Sequence, residues 1–252
     1  MIYNRLIVAA IGFIRLEPYD GKLSRTVLRG GKDSNALLLP DYASVEMLYH
    51  PEYAGHPLTV GGDPEARHGI ILTANYTAKK KGVKTGMALW QAKMACPDLI
   101  IVPPRMDLHL KFSSMLREIY GEYTDLVEPY GCDEAWLDVT DSTVLKGGGR
   151  KIAEEISRRV KRELGITVSI GISWNKIFAK LGSDYKKPDG ITAFTKENYK
   201  ELLWRLPAAD LLYVGRSTRN TLNRYGIKTI GELALSDPKF LERLLGKMGL
   251  VL

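Results

Sequence analysis

Cysteine is scarce in this chain. Cys96 and Cys132 are the only two in 252 residues, and they stand in no metal-ligand spacing and in no disulfide framework. That excludes a disulfide-stapled secreted scaffold and a cysteine-built zinc module, and it points to a reducing compartment, with the cytoplasm as the expectation. A long apolar run is also lacking. The opening "MIYNRLIVAAIGFIRLEPYDGK" is cut by Arg15 and Glu17, short of the roughly 20 residues a membrane span needs. No small-residue cleavage site follows it, so it reads as a strand or an unstructured lead, with no targeting signal and no membrane partner. Internal repeats and low-complexity tracts are missing as well, which argues against solenoids and fibres.

What is present is a globular composition. Hydrophobic residues make up 45% of the chain, enough for real cores at this length. Lys and Arg number 36 against 29 Asp and Glu, a formal net charge of +7. That balance mildly favours a polyanionic partner and decides nothing alone.

Gly and Pro clusters at "GGKDSN", "VGGDPEARHG", "VPPR", "LKGGGR" and "KKPDG" punctuate the chain. Between them, "ASVEMLY" predicts a helix that Pro51 and Gly55 stop. Residues 56–105 predict strand, turn, strand, basic loop, helix and strand, a small α/β unit. "LHLKFSSMLREIYGEYT" has helical spacing, and "DLVEPYGCDEAWLDVT" predicts a hairpin bent near Gly131. Ile152, Ile156, Val160 and Leu164 recur four apart, marking an amphipathic helix over 150–164. "ITVSIGIS" alternates as a strand, and the chain beyond Pro188 reads as mostly helical. The sum is an α+β protein, a sheet with helices on one face followed by a small helical domain.

The chemistry concentrates at "PYGCDEAWLDVT". In a regular strand Asp133 and Glu134 would point to opposite faces, so they can act together only where the strand begins or bends. Gly131 permits such a bend. Adjacent carboxylates are hard oxygen ligands suited to Mg²⁺, which takes its other ligands from water and substrate phosphates. For an arbitrary Asp-Glu pair, two solvated acids at a hairpin is the commoner reading.

Four segments in order change that balance: "YASVEMLYHPEYAGHPLTVGG" at 42–62, "ILTANYTAKKKGVKTGM" at 71–87, "LVEPYGCDEAWLDVT" at 126–140 and "SIGISWNKIFAKLGSDYKKPDGI" at 169–191. Together they resemble the Y-family, or translesion, DNA polymerases, including the UmuC/DinB-like bacterial group, from about Tyr42 onward. The resemblance implies a ferredoxin-like palm at 37–48 and 106–187, small α/β fingers at 49–105 and a small helical thumb at 188–252, with residues 1–36 as a divergent lead. It implies template-directed nucleotidyl transfer from dNTPs onto a primer-template DNA, at a two-metal Mg²⁺ site held by Asp133 and Glu134 as catalytic and metal-binding residues. By the same resemblance, Tyr42 matches the steric gate beneath the sugar, and Glu46 an acid near the metal site. Tyr76, Lys79 and Lys180 match triphosphate-contacting residues. The family commonly has Arg where Lys79 stands, so a bidentate fork becomes a point charge. "LLYVGRSTRNTLNRYGIKTIGELA" resembles a helix-hairpin-helix whose glycine turn offers N–H groups to DNA phosphates.

Departures from the pattern matter. Cys132 and Gly131 stand where the family has an apolar residue and Ser, and "VGR" stands where a second Gly is frequent. Leu37 occupies the position of the family's first metal-binding Asp, with Asp41 and Asp33 the nearest carboxylates and Pro40 unusual for a central strand. The expectation is a site missing one ligand, through a changed reading frame or gene start, and the rival reading is a catalytically inactive DNA-binding remnant. A nucleotidyl cyclase on a similar palm is disfavoured by the lysine-rich fingers and the thumb. The family's little finger domain is expected to be absent, with any sliding clamp engaged through a region not present. The expected consequence is weak, salt-sensitive DNA binding.

Overall fold

The computed structural model describes residues 7–11, 41–62, 69–131 and 133–252. In chain order the elements are β1 (Ile7–Ile11), α1 (Asp41–Tyr49), β2 (Leu58–Gly61), β3 (Ile71–Ala74), α2 (Tyr76–Lys80), α3 (Leu89–Ala95), β4 (Ile100–Val102) and α4 (Met106–Gly121). They continue with β5 (Val127–Tyr130), β6 (Glu134–Asp138), α5 (Thr143–Lys146), α6 (Gly149–Leu164), β7 (Ser169–Ser173), α7 (Lys176–Tyr185) and β8 (Ile191–Ala193). The last block is α8 (Tyr199–Leu203), α9 (Arg216–Arg224), α10 (Ile230–Ala234), α11 (Pro238–Leu245) and α12 (Lys247–Val251).

The palm is a five-stranded sheet in the order β5-β6-β1-β7-β8. Its central strand, β1, runs antiparallel to both neighbours, with Ile11 opposite Glu134 on one side and Ser169 on the other. Residues 1–36, set apart above as a lead, therefore contribute to the middle of the sheet through Ile7–Ile11. At the far edge β8 lies parallel to β7, so the chain just past Pro188 first completes the palm sheet and only then turns helical. A three-residue strand carries too little alternation to announce itself.

Period-2 alternation sorts the two faces of this sheet. Ala135 and Leu137 of β6 and Ile170 and Ile172 of β7 join one core with Phe112, Leu116 and Ile119 of α4. The α6 residues spaced four apart, Ile152, Ile156, Val160 and Leu164, are buried in the same cluster. α6 ends at Gly165, whose φ of 70° is the left-handed C-cap a side chain would resist. The intervening Gly171 and Trp136 face the other way, onto α7, where Trp136 packs against Ala179. The two long helices thus cover one face as expected, while α7 lies on the opposite one. Its seat depends on missing side chains: a Cβ at Gly171 would lie 1.9 Å from the Ala179 carbonyl oxygen and 2.5 Å from the Ser183 nitrogen.

The fingers, inserted between α1 and α4, form a second sheet in the order β3-β2-β4. Ile71, Ala74, Ala78, Leu89, Ala92 and Leu99 make their own core, while Leu58, Val60 and Val102 join the palm core. The basic stretch after Asn75 is helical in its first half, as α2, rather than a loop. The thumb is built on Leu203, Leu211, Leu222, Ile230 and Leu241 and docks on the palm through Leu181 and Phe194.

A polar knot joins α1 to α4. Glu46, 2% exposed, accepts hydrogen bonds from Arg105 Nε at 3.0 Å and Nη2 at 2.5 Å. His109, one turn into α4, is buried with Nε2 4.0 Å from Glu46 Oε1. Burial, with help from the Arg105 cation and against Asp107, pushes the His109 imidazole down from the usual 6.5 to about 3.

Two outcomes follow for stability. Gly171→Ala forces backbone apart and should destabilise by about 3 kcal/mol or more in urea unfolding, whereas Gly121→Ala, with open space around it, should be neutral or slightly stabilising. Between pH 6.5 and about 3 the unfolded chain protonates His109 and the fold does not, so stability is full above that window and falls as pH drops through it. Unfolding free energies of His109→Gln against the parent at pH 7 and pH 4 should show roughly 3 kcal/mol of that acid sensitivity removed.

Candidate active site

The β5–β6 hairpin turns at Gly131 with φ of 77°, which sets Asp133 just outside the ladder and Glu134 as the first residue of β6. Glu134 is registered opposite Tyr130 and Ile11. The pair sits where a strand begins, the one place where adjacent residues escape strict alternation. Both are 5% exposed, so two carboxylates are held close together away from water, and their charge needs a partner.

Lys180, from α7, supplies it. Its Nζ lies 3.2 Å from Glu134 Oε1 and 2.8 Å from Asp184 Oδ2, and Lys187 reaches Asp184 Oδ1 at 2.6 Å. Burial raises the Glu134 carboxyl above its ordinary range, with the Lys180 cation offsetting only part of the effect. Burial also works against the Lys180 charge, but Asp184 and Glu134 outweigh it and the amine is held above its usual value. For Asp184, burial is outweighed by Lys180 and Lys187, which keep the carboxyl low. The sequence reading missed Asp184 and Lys187; the four-residue spacing of Lys180 and Asp184 on a helix was the available signal.

The fingers residues are placed by a cap. Asn75, buried, accepts from the Ala78 nitrogen at 2.9 Å and from the Leu58 nitrogen at 3.1 Å, and donates to the His56 carbonyl at 2.7 Å. This fixes the start of α2 to β2. Tyr76 opens that helix, and Lys79 Nζ stands 4.9 Å from the Tyr76 ring centroid. An Asn just before a helix is a readable cap, and Asn75 was passed over in favour of the lysines.

Tyr42 is the second residue of α1; its side chain, like Leu37, Pro40, Asp33 and Cys132, lies outside the described residues. Glu46, one turn further on, is engaged by Arg105 and lies near His109. The structure thus brings Lys180 onto Glu134, the neighbour of Asp133, together with Asp184, and sets Lys79 over Tyr76.

The acidic pair suits a hard divalent cation. Glu134 Oε2 is buried with no hydrogen-bond partner, leaving an acceptor position for an ion to fill. Among the described residues no group of three or more His, Cys, Asp or Glu that could hold a metal ion gathers at one point. No helix among the described residues is long and apolar enough to cross a membrane.

Residues 41–184 match the impB/mucB/samB family. The chain is 56% identical over 211 residues to DNA polymerase IV of Acetivibrio thermocellus, covering 84% of this chain and 53% of that one. It is 46% identical over 208 residues to DNA polymerase IV 1 of Bacillus subtilis, covering 82% of this chain and 50% of that one. It thus spans about half the length of these curated relatives. Among solved structures, DinB from Sulfolobus solfataricus superposes with a TM-score of 0.78 at 27% identity, covering 98% of this chain and 65% of that one. An insertion ternary complex of Dbh DNA polymerase gives 0.80 at 27% identity, with the same coverage. The chain belongs to the impB/mucB/samB family, the DinB-like Y-family polymerases.

Proposed function

We propose that the chain is the catalytic core of a template-directed DNA polymerase that performs translesion synthesis, with dNTPs, primer-template DNA and Mg²⁺ as its substrates and metal. The observation that carries this reading is the buried Asp133–Glu134 pair at the start of a palm strand, with Lys180 as its counter-charge. Asp133 and Glu134 hold the metal. Bound there, Mg²⁺ supplies Lewis-acid neutralisation of the charge on the transferring phosphoryl group. The chain's own residues do the positioning, which is most of what phosphoryl transfer requires of a protein. Tyr42, at the start of α1, floors the sugar. Tyr76 and Lys79 meet the triphosphate, and Lys180 offsets part of the cost of burying the Glu134 carboxylate while adding positive charge on the same side.

In the thumb, two turns compete for the role of phosphate ligand. The N–H groups of Lys228 and Thr229 are already taken by Glu232 Oε2 at 2.7 and 2.8 Å. The turn at Gly215, which opens the nine-residue α9 without a side-chain cap, is the better phosphate site.

A second reading is favoured by one observation. The strand facing Glu134, "IVAAI", carries no carboxylate, so a third acidic ligand must come from Asp41, Asp33 or elsewhere, or the chain is an inactive DNA-binding remnant.

Single-nucleotide primer extension separates the two readings. The polymerase reading expects extension at low salt with Mg²⁺ or Mn²⁺ that falls at least 100-fold in Asp133→Ala, on the order of one lost metal ligand's effect. A further loss in Asp41→Asn would identify the third ligand. DNA bound with no extension supports the remnant. Binding itself should be steeply salt-dependent, with anisotropy titrations losing about 10-fold or more between 50 and 200 mM salt; affinity flat across that range counts against phosphate-dominated contact.

A further inference from the structure

The fingers are an insertion: the chain leaves the palm after α1 and returns to it at α4. One ion pair spans the two crossing points. Glu46 lies in α1, a turn before the exit, and Arg105 is the residue immediately before α4, at the return. Their contact is bidentate, at 3.0 and 2.5 Å. Glu46 is 2% exposed, and the Arg105 guanidinium also covers the Tyr49 ring at 5.3 Å. A planar fork gripping both oxygens of a buried carboxylate fixes orientation as well as distance, which a single ammonium contact does not. Among the described residues the fingers also meet the palm through apolar packing of Leu58, Val60 and Val102 and a long contact from Asn75 Nδ2 to Met47 Sδ at 4.0 Å, and such packing constrains direction less than a bidentate polar contact.

This bears on chemistry because the two groups of site residues sit on opposite sides of that neck. Tyr76 and Lys79 ride on the fingers, locked to β2 by Asn75; Asp133, Glu134 and Lys180 belong to the palm. The two groups ride on different modules, so how the fingers are held against the palm bears on their separation.

We propose that Arg105 is a positioning residue which, through its bidentate grip on Glu46, fixes the fingers against the palm and so sets the distance between the triphosphate-contacting side chains and the acidic pair. The consequence for nucleotide use rests on the polymerase reading; the mechanical part does not. Glu46 then serves as an anchor for the neck.

The test uses Arg105→Met, which keeps the stem and removes the fork, and Arg105→Lys, which keeps the charge with a single contact. In insertion assays the dNTP KM should rise about 10-fold in Arg105→Met with kcat within about 3-fold of the parent, and Arg105→Lys should fall between them. Spin labels on unnatural amino acids at exposed Lys84 of the fingers and Glu118 of α4 should give one narrow distance in the parent and a broadened one in Arg105→Met. Unchanged distances in both variants overturn the proposal, as do broadened distances with an unmoved KM, or a kcat loss at constant KM. If the parent inserts no nucleotide, the polymerase reading fails and the distances alone decide: broadening upholds Arg105 as the neck's fastening, and no broadening overturns it. Should Arg105→Met not fold, Arg105→Lys carries the same measurements.

Discussion

Two adjacent carboxylates held away from water are the constraint around which the palm is arranged. Left alone, their mutual repulsion and desolvation would cost several kcal/mol and push both toward neutrality. Lys180 is the remedy, and it reaches Glu134 only because α7 lies close against the sheet. That closeness is set by two glycines facing each other: Gly171 on β7 leaves room for the α7 backbone, and Gly182 on α7 lies against the Gly171 Cα. A side chain at either position would lift the helix and withdraw the lysine. Packing and electrostatics are therefore one problem here, because the backbone contact that seems to serve the core is what makes the acidic pair tolerable.

The same arrangement explains why the pair remains suited to a cation. Lys180 divides its charge between Glu134 and Asp184, and Lys187 takes a share of Asp184. One amine spread over two carboxylates lowers the repulsion without cancelling it, so Glu134 retains an unfilled acceptor in Oε2 and a carboxyl raised by burial. A fully matched ion pair would have left nothing to attract a divalent ion.

Much of this was legible in the residues, for identifiable reasons. The i,i+4 apolar spacing of α6, the alternation of β7 and the turn at Gly131 are local signals, and each element formed where its pattern lay. The Asp133–Glu134 pair was readable because a glycine bend and two acids are contiguous. The Glu46–Arg105 contact was not, since it joins residues 59 apart, whereas Asp184 and Lys187 carried a local signal in their spacing of four and three residues with Lys180 and Asp184. The place of Ile7–Ile11 at the sheet's centre was hidden for a related reason: "IVAAI" has strand composition, but nothing local says that its partners are β6 and β7. The short β8 and the helical half of the basic stretch were lost to brevity, three and five residues being too few for a period to show.

An inserted domain carries a particular mechanical demand. The fingers have a core of their own, so they could fold correctly and still be misdirected, and a reaction that depends on positioning fails when a correct module points the wrong way. Apolar burial cannot supply direction cheaply, because neighbouring packings of similar area differ little in energy. A buried carboxylate gripped by a planar guanidinium differs from them sharply: if the grip is lost, Glu46 is left without its cation in an interior that cannot solvate it. His109, kept neutral by the same surroundings, adds no competing charge beside it. The polar knot at the neck thus converts a desolvation penalty into orientational precision, as Lys180 does for the acidic pair, and both devices buy geometry where hydrophobic packing supplies only adhesion.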